Sequence, residues 1–88
     1  MKKIDTRHIP AYSVLAESVV QGGTYKHYKG SYYIMLKIAR SSETLEELVV
    51  YQALYGDCLV WVRPLSMFLE MVEVNGITQP RFELLIID

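Results

Sequence analysis

The stretch YKHYKGSYYIMLKIARSSETLEELVVYQALYGDCLVWVRPLSMF, residues 25–68, decides the fold. Short aromatic-rich and β-branched runs alternate in it with turn-forming groups: Tyr28-Lys29-Gly30, the polar segment Arg40 to Thr44, Tyr55-Gly56-Asp57, and Trp61 to Pro64. Runs of four to nine residues with period-2 patterning, each closed by Gly, Ser, Asp or Pro, read as β-strands. Over Tyr32–Arg40 one face collects Tyr32, Ile34, Leu36 and Ile38, and the even positions are expected to form the core. Leu48, Val50 and Leu54 continue that core face, which places Tyr33, Tyr51 and Tyr55 on the opposite surface.

Outward from this stretch, Leu59–Arg63 reads as a strand that Pro64 terminates. Leu65–Leu69 has room for one helical turn, expected to be 3₁₀. Asn75-Gly76, between Met71–Val74 and Phe82–Ile87, is the strongest hairpin dipeptide in the chain because both residues tolerate positive φ. On the N-terminal side, Pro10 to Gln21 reads as a helix stopped by Gly22-Gly23, although Val14, Val19 and Val20 leave an extended strand as a competitor. The expected architecture is mainly β: an SH3-like barrel of five to six strands over residues 24–88, preceded by a helical extension over residues 1–23. A barrel also removes the exposed edges of a flat sheet.

The composition bounds the function. Of 88 residues, 51% are hydrophobic and 22% charged, which places the chain among folded globules and away from disordered segments. One cysteine, Cys58, excludes an internal disulfide and reads as an unreactive structural thiol, consistent with a reducing cytoplasm. No apolar run follows Met1-Lys2-Lys3 as a secretion signal requires, and none is long enough to span a membrane, so a cytoplasmic location is expected. The net charge of −1 disfavours bulk nucleic-acid binding. The charges are nonetheless segregated. Lys26, Lys29, Lys37 and Arg40 occupy an acid-free segment, whereas Glu70, Glu73, Glu83 and Asp88 face Arg81 alone in the C-terminal part.

No nucleotide-binding glycine motif, nucleophile elbow or metal-ligand spacing is present, so neither a metal nor a cofactor is expected. Seven tyrosines and one tryptophan in so short a chain point instead to contact surface, because these side chains combine stiff apolar area with a polar tip. The candidate ligand-binding set is Tyr33, Arg40, Tyr51, Tyr55, Trp61 and Arg63, for a peptide, a nucleotide or nucleic-acid segment, or another anionic ligand. Each tyrosine has an alternative reading as a bridge between core and solvent. The Arg40–Thr44 loop, an anion clamp in the functional reading, is in the structural one a connection closed by Ser and Thr, with Arg40 paired to Glu43.

His27-Tyr28-Lys29-Gly30, Tyr33, Ala39-Arg40, Ser42-Glu43-Thr44, Glu47 to Tyr51, Ala53 to Gly56, Trp61 to Pro64, Met67-Phe68 and Pro80-Arg81-Phe82 together resemble a family of short bacterial domains of unknown function. The resemblance runs from Thr24 to about Glu83. Its pattern usually carries a histidine where this chain has Ser41, so no acid, base or ligand role for that histidine transfers. The resemblance implies a bacterial, cytoplasmic protein and no particular activity.

The leading expectation is a non-catalytic recognition module. The alternative is a homo-oligomeric assembly protein: in Leu84-Leu85-Ile86-Ile87 about half the side chains must leave the barrel core, and Leu85 and Ile87 or their even-numbered neighbours would form a homodimer contact. A small enzyme ranks last, with His27, Glu43 and Cys58 as its candidate groups.

Overall fold

The computed structural model describes residues 9–85. Helical turn α1 (Val14–Glu17) is followed by strands β1 (Thr24–His27), β2 (Tyr32–Arg40), β3 (Glu47–Ala53) and β4 (Val60–Pro64). Helical turn α2 (Leu65–Phe68) and strands β5 (Met71–Val74), β6 (Ile77–Pro80) and β7 (Phe82–Leu84) complete the order. Strands β1 to β4 form an antiparallel meander, and β7 returns to pair with β1, which gives the sheet order β4-β3-β2-β1-β7. β5 and β6 stand apart as a two-stranded hairpin.

The chain is therefore mainly β, with seven strands among the described residues instead of five or six, and no ladder closes β4 onto β7. The segment between those two edges explains the opening. It leaves β4 at Pro64, makes the α2 turn, and buries Leu65 and Phe68 in the core instead of continuing as a closing strand. α2 is an α-helical turn and not 3₁₀, since Leu69 N–H donates to Leu65 C=O across four residues at 3.0 Å. The extra strand comes from Asn75-Gly76. With φ of 53° and 78°, these two residues reverse the chain within two positions, so β5 pairs with the adjacent β6 and not with Phe82–Ile87.

The expected core face is inverted. Val49, Tyr51 and Ala53 of β3 are buried, while Leu48 and Val50 are only half-buried and Leu54 is exposed. On β2, Tyr33 and Met35 face the same side as Ala53 and Tyr51, and a β-bulge between Met35 and Lys37 then shifts the parity so that Ile38 faces inward. Leu36 consequently stands exposed. A bulge adds one residue to one strand, so a single alternation cannot describe both halves of β2. Backbone bonds from the glycine pair join the bulge region: Gly22 N–H donates to Met35 C=O and Met35 N–H to Gly23 C=O. A Cβ on Gly23 would lie 2.9 Å from the Val20 carbonyl oxygen, so only glycine permits this approach.

The helix of the N-terminal segment is limited to Val14–Glu17, much shorter than Pro10–Gln21. Ser13 caps it, its Oγ accepting from Ala16 N–H, and the β-branched Val19 and Val20 follow its end. Ala16 and Val19 are nevertheless part of the core. Arg40 and Glu47, directly paired across β2 and β3, hold the segment down. Glu47 accepts from both Ser13 N–H and Ser13 Oγ–H, at 2.8 and 2.7 Å, and Arg40 donates to the Pro10 carbonyl and lies 4.6 Å from the Tyr12 ring centroid. The Ser13 hydrogen bonds, with the charge of Arg40 beside them, keep the Glu47 carboxyl below its usual pKa.

At the centre of the core Phe68 has no exposed surface. It stacks on Phe82 with ring centroids 4.3 Å apart and meets Tyr25 and Tyr51 at 5.2 and 5.7 Å. Replacing Phe68 with Ala is expected to cost about 3–5 kcal/mol, a large share of the roughly 5–15 kcal/mol that holds such a domain folded. Urea denaturation measures it; a loss under about 1 kcal/mol would mean the ring is not enclosed.

Candidate functional site

With the core parity reversed, Tyr33, Tyr51, Trp61 and Arg63 still share one side of the sheet, but it is the inner side. Register sets Tyr33 opposite Ala53, Tyr51 opposite Trp61, and Val49 opposite Arg63. β1 and β7 add His27 opposite Phe82 on the same side. The cluster passes from dry to wet along its length: Tyr51 is 5% exposed, Tyr33 half-buried, and Tyr55 and Trp61 are 50% and 48% exposed.

The rings hold one another in place. Tyr33 meets Tyr51, Tyr55 and Phe82 edge-on at centroid distances of 5.5, 5.6 and 5.5 Å. The Tyr33 and Tyr55 hydroxyls are 2.7 Å apart, and Arg63 Nε donates to the Tyr51 hydroxyl at 3.3 Å. The Arg63 guanidinium also lies 5.8 Å from the Phe82 ring centroid. Edge-to-face contacts of this kind favour one arrangement of the rings over others. Tyr55 thus presents aromatic area to solvent from a packed base, and Trp61, the register partner of Tyr51, adds a half-exposed ring on the same side of the sheet.

Electrostatics mark the same end of the sheet. Partial burial, followed by the nearby charges of Arg81, Arg63 and Lys29, lowers the pKa of His27 below 6.5. Its Nδ1 accepts from Lys29 N–H at 3.2 Å, which leaves Nε2 as the proton-bearing nitrogen of the neutral ring. Among the described residues Arg81 is paired with Glu70 through Nε and Nη2, whereas Arg63 and Lys29 form no ion pair. Burial, together with the Tyr55 hydroxyl bond, raises the Tyr33 phenol to about 12. Beside His27 a recess of about 110 Å³ is lined by Lys26, Tyr28, Gln79, Pro80 and Glu83.

Arg40 does not join this group. Seven residues along β2 from Tyr33, roughly 20 Å away at the strand rise, its guanidinium bonds the Pro10 and Leu45 carbonyls. The loop after it is closed by Ser41, whose Oγ accepts from Glu43 and Thr44 N–H, so the expected Arg40–Glu43 pairing is replaced by Arg40 bonds to main-chain carbonyls. His27 and Glu43 lie beyond opposite ends of β2. Cys58 is a free thiol, exposed in the β3–β4 turn at φ 53°. Of the C-terminal apolar run, Leu84 packs against the core and Leu85 is half-buried; Ile86 and Ile87 fall outside the described residues. Among the described residues no three His, Cys, Asp or Glu converge as metal ligands, and no helix is long and apolar enough to cross a membrane.

Phe82 and Arg81 are the cluster members that residue patterning missed. Both follow a proline, Phe82 at the start of the segment read as the strand Phe82–Ile87 and Arg81 just before it, and their only sequence signal is the Pro80-Arg81-Phe82 match.

The fold and its half-open aromatic cluster define a small antiparallel β domain with one wet end. Residues 23–84 match the family described as protein of unknown function, DUF1653, and the chain belongs to that family. The structure is also similar to the crystal structure of a DUF1653 protein from Bordetella bronchiseptica, at 37% identity and a TM-score of 0.69, covering 77% of this chain and 88% of that one. No curated protein is significantly similar to it.

Two titrations follow from the electrostatics. By NMR, the His27 ring is expected to protonate below pH 6.5; because the unfolded chain takes up that proton first, stability declines as pH falls through this window. The raised Tyr33 phenol acts in the opposite direction: its contribution is complete below about pH 10, the unfolded value, and is lost as pH rises toward 12. A His27 titration above 6.5, or a Tyr33→Phe variant that leaves the last step of the alkaline absorbance titration in place, contradicts the assignment.

Proposed function

We propose that this protein is a non-catalytic recognition module whose wet aromatic end, Tyr33, Tyr55, Trp61 and Arg63 together with His27, resting on the buried Tyr51, binds a ligand that has a flat or extended part and an anionic group. The observation that carries the reading is the conjunction of half-exposed Tyr55 and Trp61 with the cations around His27, a local positive excess in a chain of net charge −1. Stacking supplies sequence-tolerant contact and the guanidinium supplies a planar donor, the combination by which small β domains hold nucleotides and extended chains. The β1–β4 meander, the return of β7 to β1 and the helical turn before the last strands support reading the domain as an SH3-like plan left open on one side. Arg40 serves the N-terminal segment in this reading, and the unpaired thiol of Cys58 suits a cytoplasmic setting.

Trp61 is the sole tryptophan and reports on the site directly. Titration with a nucleoside monophosphate, an acidic peptide and inorganic phosphate as separate probes is expected to change its emission saturably for at least one of the first two. Tyr55→Ala should weaken that binding about 5- to 100-fold, the range of one lost stacking contact. Arg63→Ala should weaken it and reduce its salt dependence. An unchanged Trp61 signal with every probe, or an Arg63→Ala variant that binds as the parent does, overturns the reading.

A further inference from the structure

The two edges of the five-stranded sheet differ. β7 is three residues long and carries Glu83 at its centre, while β4 runs from Val60 to Pro64 with no charge before Arg63. Edge strands are normally guarded by charge, proline or a bulge because their free N–H and C=O groups template pairing with another chain. β4 lacks such protection where it matters, and Leu59, Val60, Trp61 and Val62 are 54%, 53%, 48% and 58% exposed.

The ladder fixes which backbone groups of β4 have no partner among the described residues. Ala53 N–H donates to the Leu59 carbonyl at 3.0 Å, and Tyr51 and Val49 oppose Trp61 and Arg63 in the same phase. In an antiparallel ladder the bonded positions alternate, so Leu59, Trp61 and Arg63 turn their backbone groups to β3, and Val60 and Val62 turn theirs outward. Beyond them the pattern stops at both ends: Pro64 has no N–H, and Cys58 at φ 53° is not extended.

We propose that β4 pairs antiparallel with β4 of a second copy of this chain, about a two-fold axis through Trp61, joining the two sheets into one. This register alone puts Val60 opposite Val62 of the second copy and Val62 opposite its Val60, so that every outward donor meets an outward acceptor. Shifting the axis to Val60 requires Cys58 to be extended, and shifting it to Val62 requires a donor from Pro64. The side chains agree with the register. Valines meet valines on the outer face, and Arg63 falls opposite Leu59, away from the other Arg63. The antiparallel sense also brings the Arg63 end of each strand to the Asp57 end of the other, so the ends of the contact carry opposite charge. An isologous contact of this kind closes on itself and does not propagate. It relocates the expected homodimer from Leu85 and Ile87 to β4, and it sets Trp61 of the two copies, a member of the proposed ligand site, side by side on the inner face.

Light scattering over a dilution series tests the pairing. The parent protein is expected to show twice the 10.2 kDa chain mass at high concentration, falling toward one chain on dilution. Val62→Lys, which sets a cation against Val60 of the copy, should give a single-chain mass throughout with an unchanged circular dichroism spectrum. A parent that is monomeric at every concentration, or a dimer that survives Val62→Lys, overturns the proposal. Should Val62→Lys fail to fold, Trp61→Cys in a Cys58→Ser background decides it: on the axis, at a non-bonded position, the new thiol meets itself within disulfide reach and should cross-link on oxidation. Glu73→Cys in the same background, on β5, should not, and absence of the cross-link at position 61 overturns the pairing.

Discussion

The stacking of Phe68 on Phe82 is the contact on which the rest of the domain depends. A five-stranded sheet open between β4 and β7 has an inner face that must be covered, and here the chain covers it with the helical turn that follows β4. Because Phe68 also meets Tyr25 and Tyr51, one ring ties together β1, β3, β7 and α2. Such a core is small, and in a domain of this length a single large enclosed side chain accounts for much of the net stability.

The same packing produces the wet end. Rings continue outward from Phe82 through Tyr33 to Tyr55, whose hydroxyl meets that of Tyr33 where the cluster reaches solvent. The cations gather there also, and after partial burial they are the reason the imidazole of His27 resists protonation. At the other end of β2 the cross-strand pair Arg40 and Glu47 binds the N-terminal segment to the sheet through Pro10 and Ser13. The two ends of one strand thus do different work: one closes the core, the other leaves aromatic area and positive charge uncovered. Belonging to DUF1653 locates this arrangement in a family of unknown function, and the cluster itself is the feature suited to a ligand.

Strand positions were largely legible in the sequence because Gly, Pro and Asn-Gly punctuate them chemically: Gly56, Pro64 and Asn75-Gly76 all mark chain reversals or ends where the structure has them. Facing was not legible. In β3, Leu48, Val49, Val50 and Tyr51 are all apolar or aromatic, so alternation gives no contrast, and the bulge at Leu36 lets β2 satisfy neither parity throughout. The grouping of Tyr33, Tyr51, Trp61 and Arg63 survived this inversion because residues paired across strands share a face whichever face it is. Arg40 was grouped with them because its place in the chain is near the same runs; the bulge and the length of β2 carry it away. The edge at β4 was hidden for a different reason, since whether a strand has one neighbour or two is set by the return of β7 to β1, a long-range pairing that local pattern does not encode.

The most direct test of this account is a set of aromatic nuclear Overhauser measurements on the intact protein. If the inner face is the odd face of β3 closed by α2, the Phe68 ring protons show contacts to Phe82, Tyr25 and Tyr51, and Tyr33 to Tyr55, with none from Phe68 to the Val50 methyls. Contacts from Phe68 to Leu48 and Val50 in place of Tyr51 would contradict it, because they would put the tyrosines on the outer surface and dissolve the cluster from which the site is built.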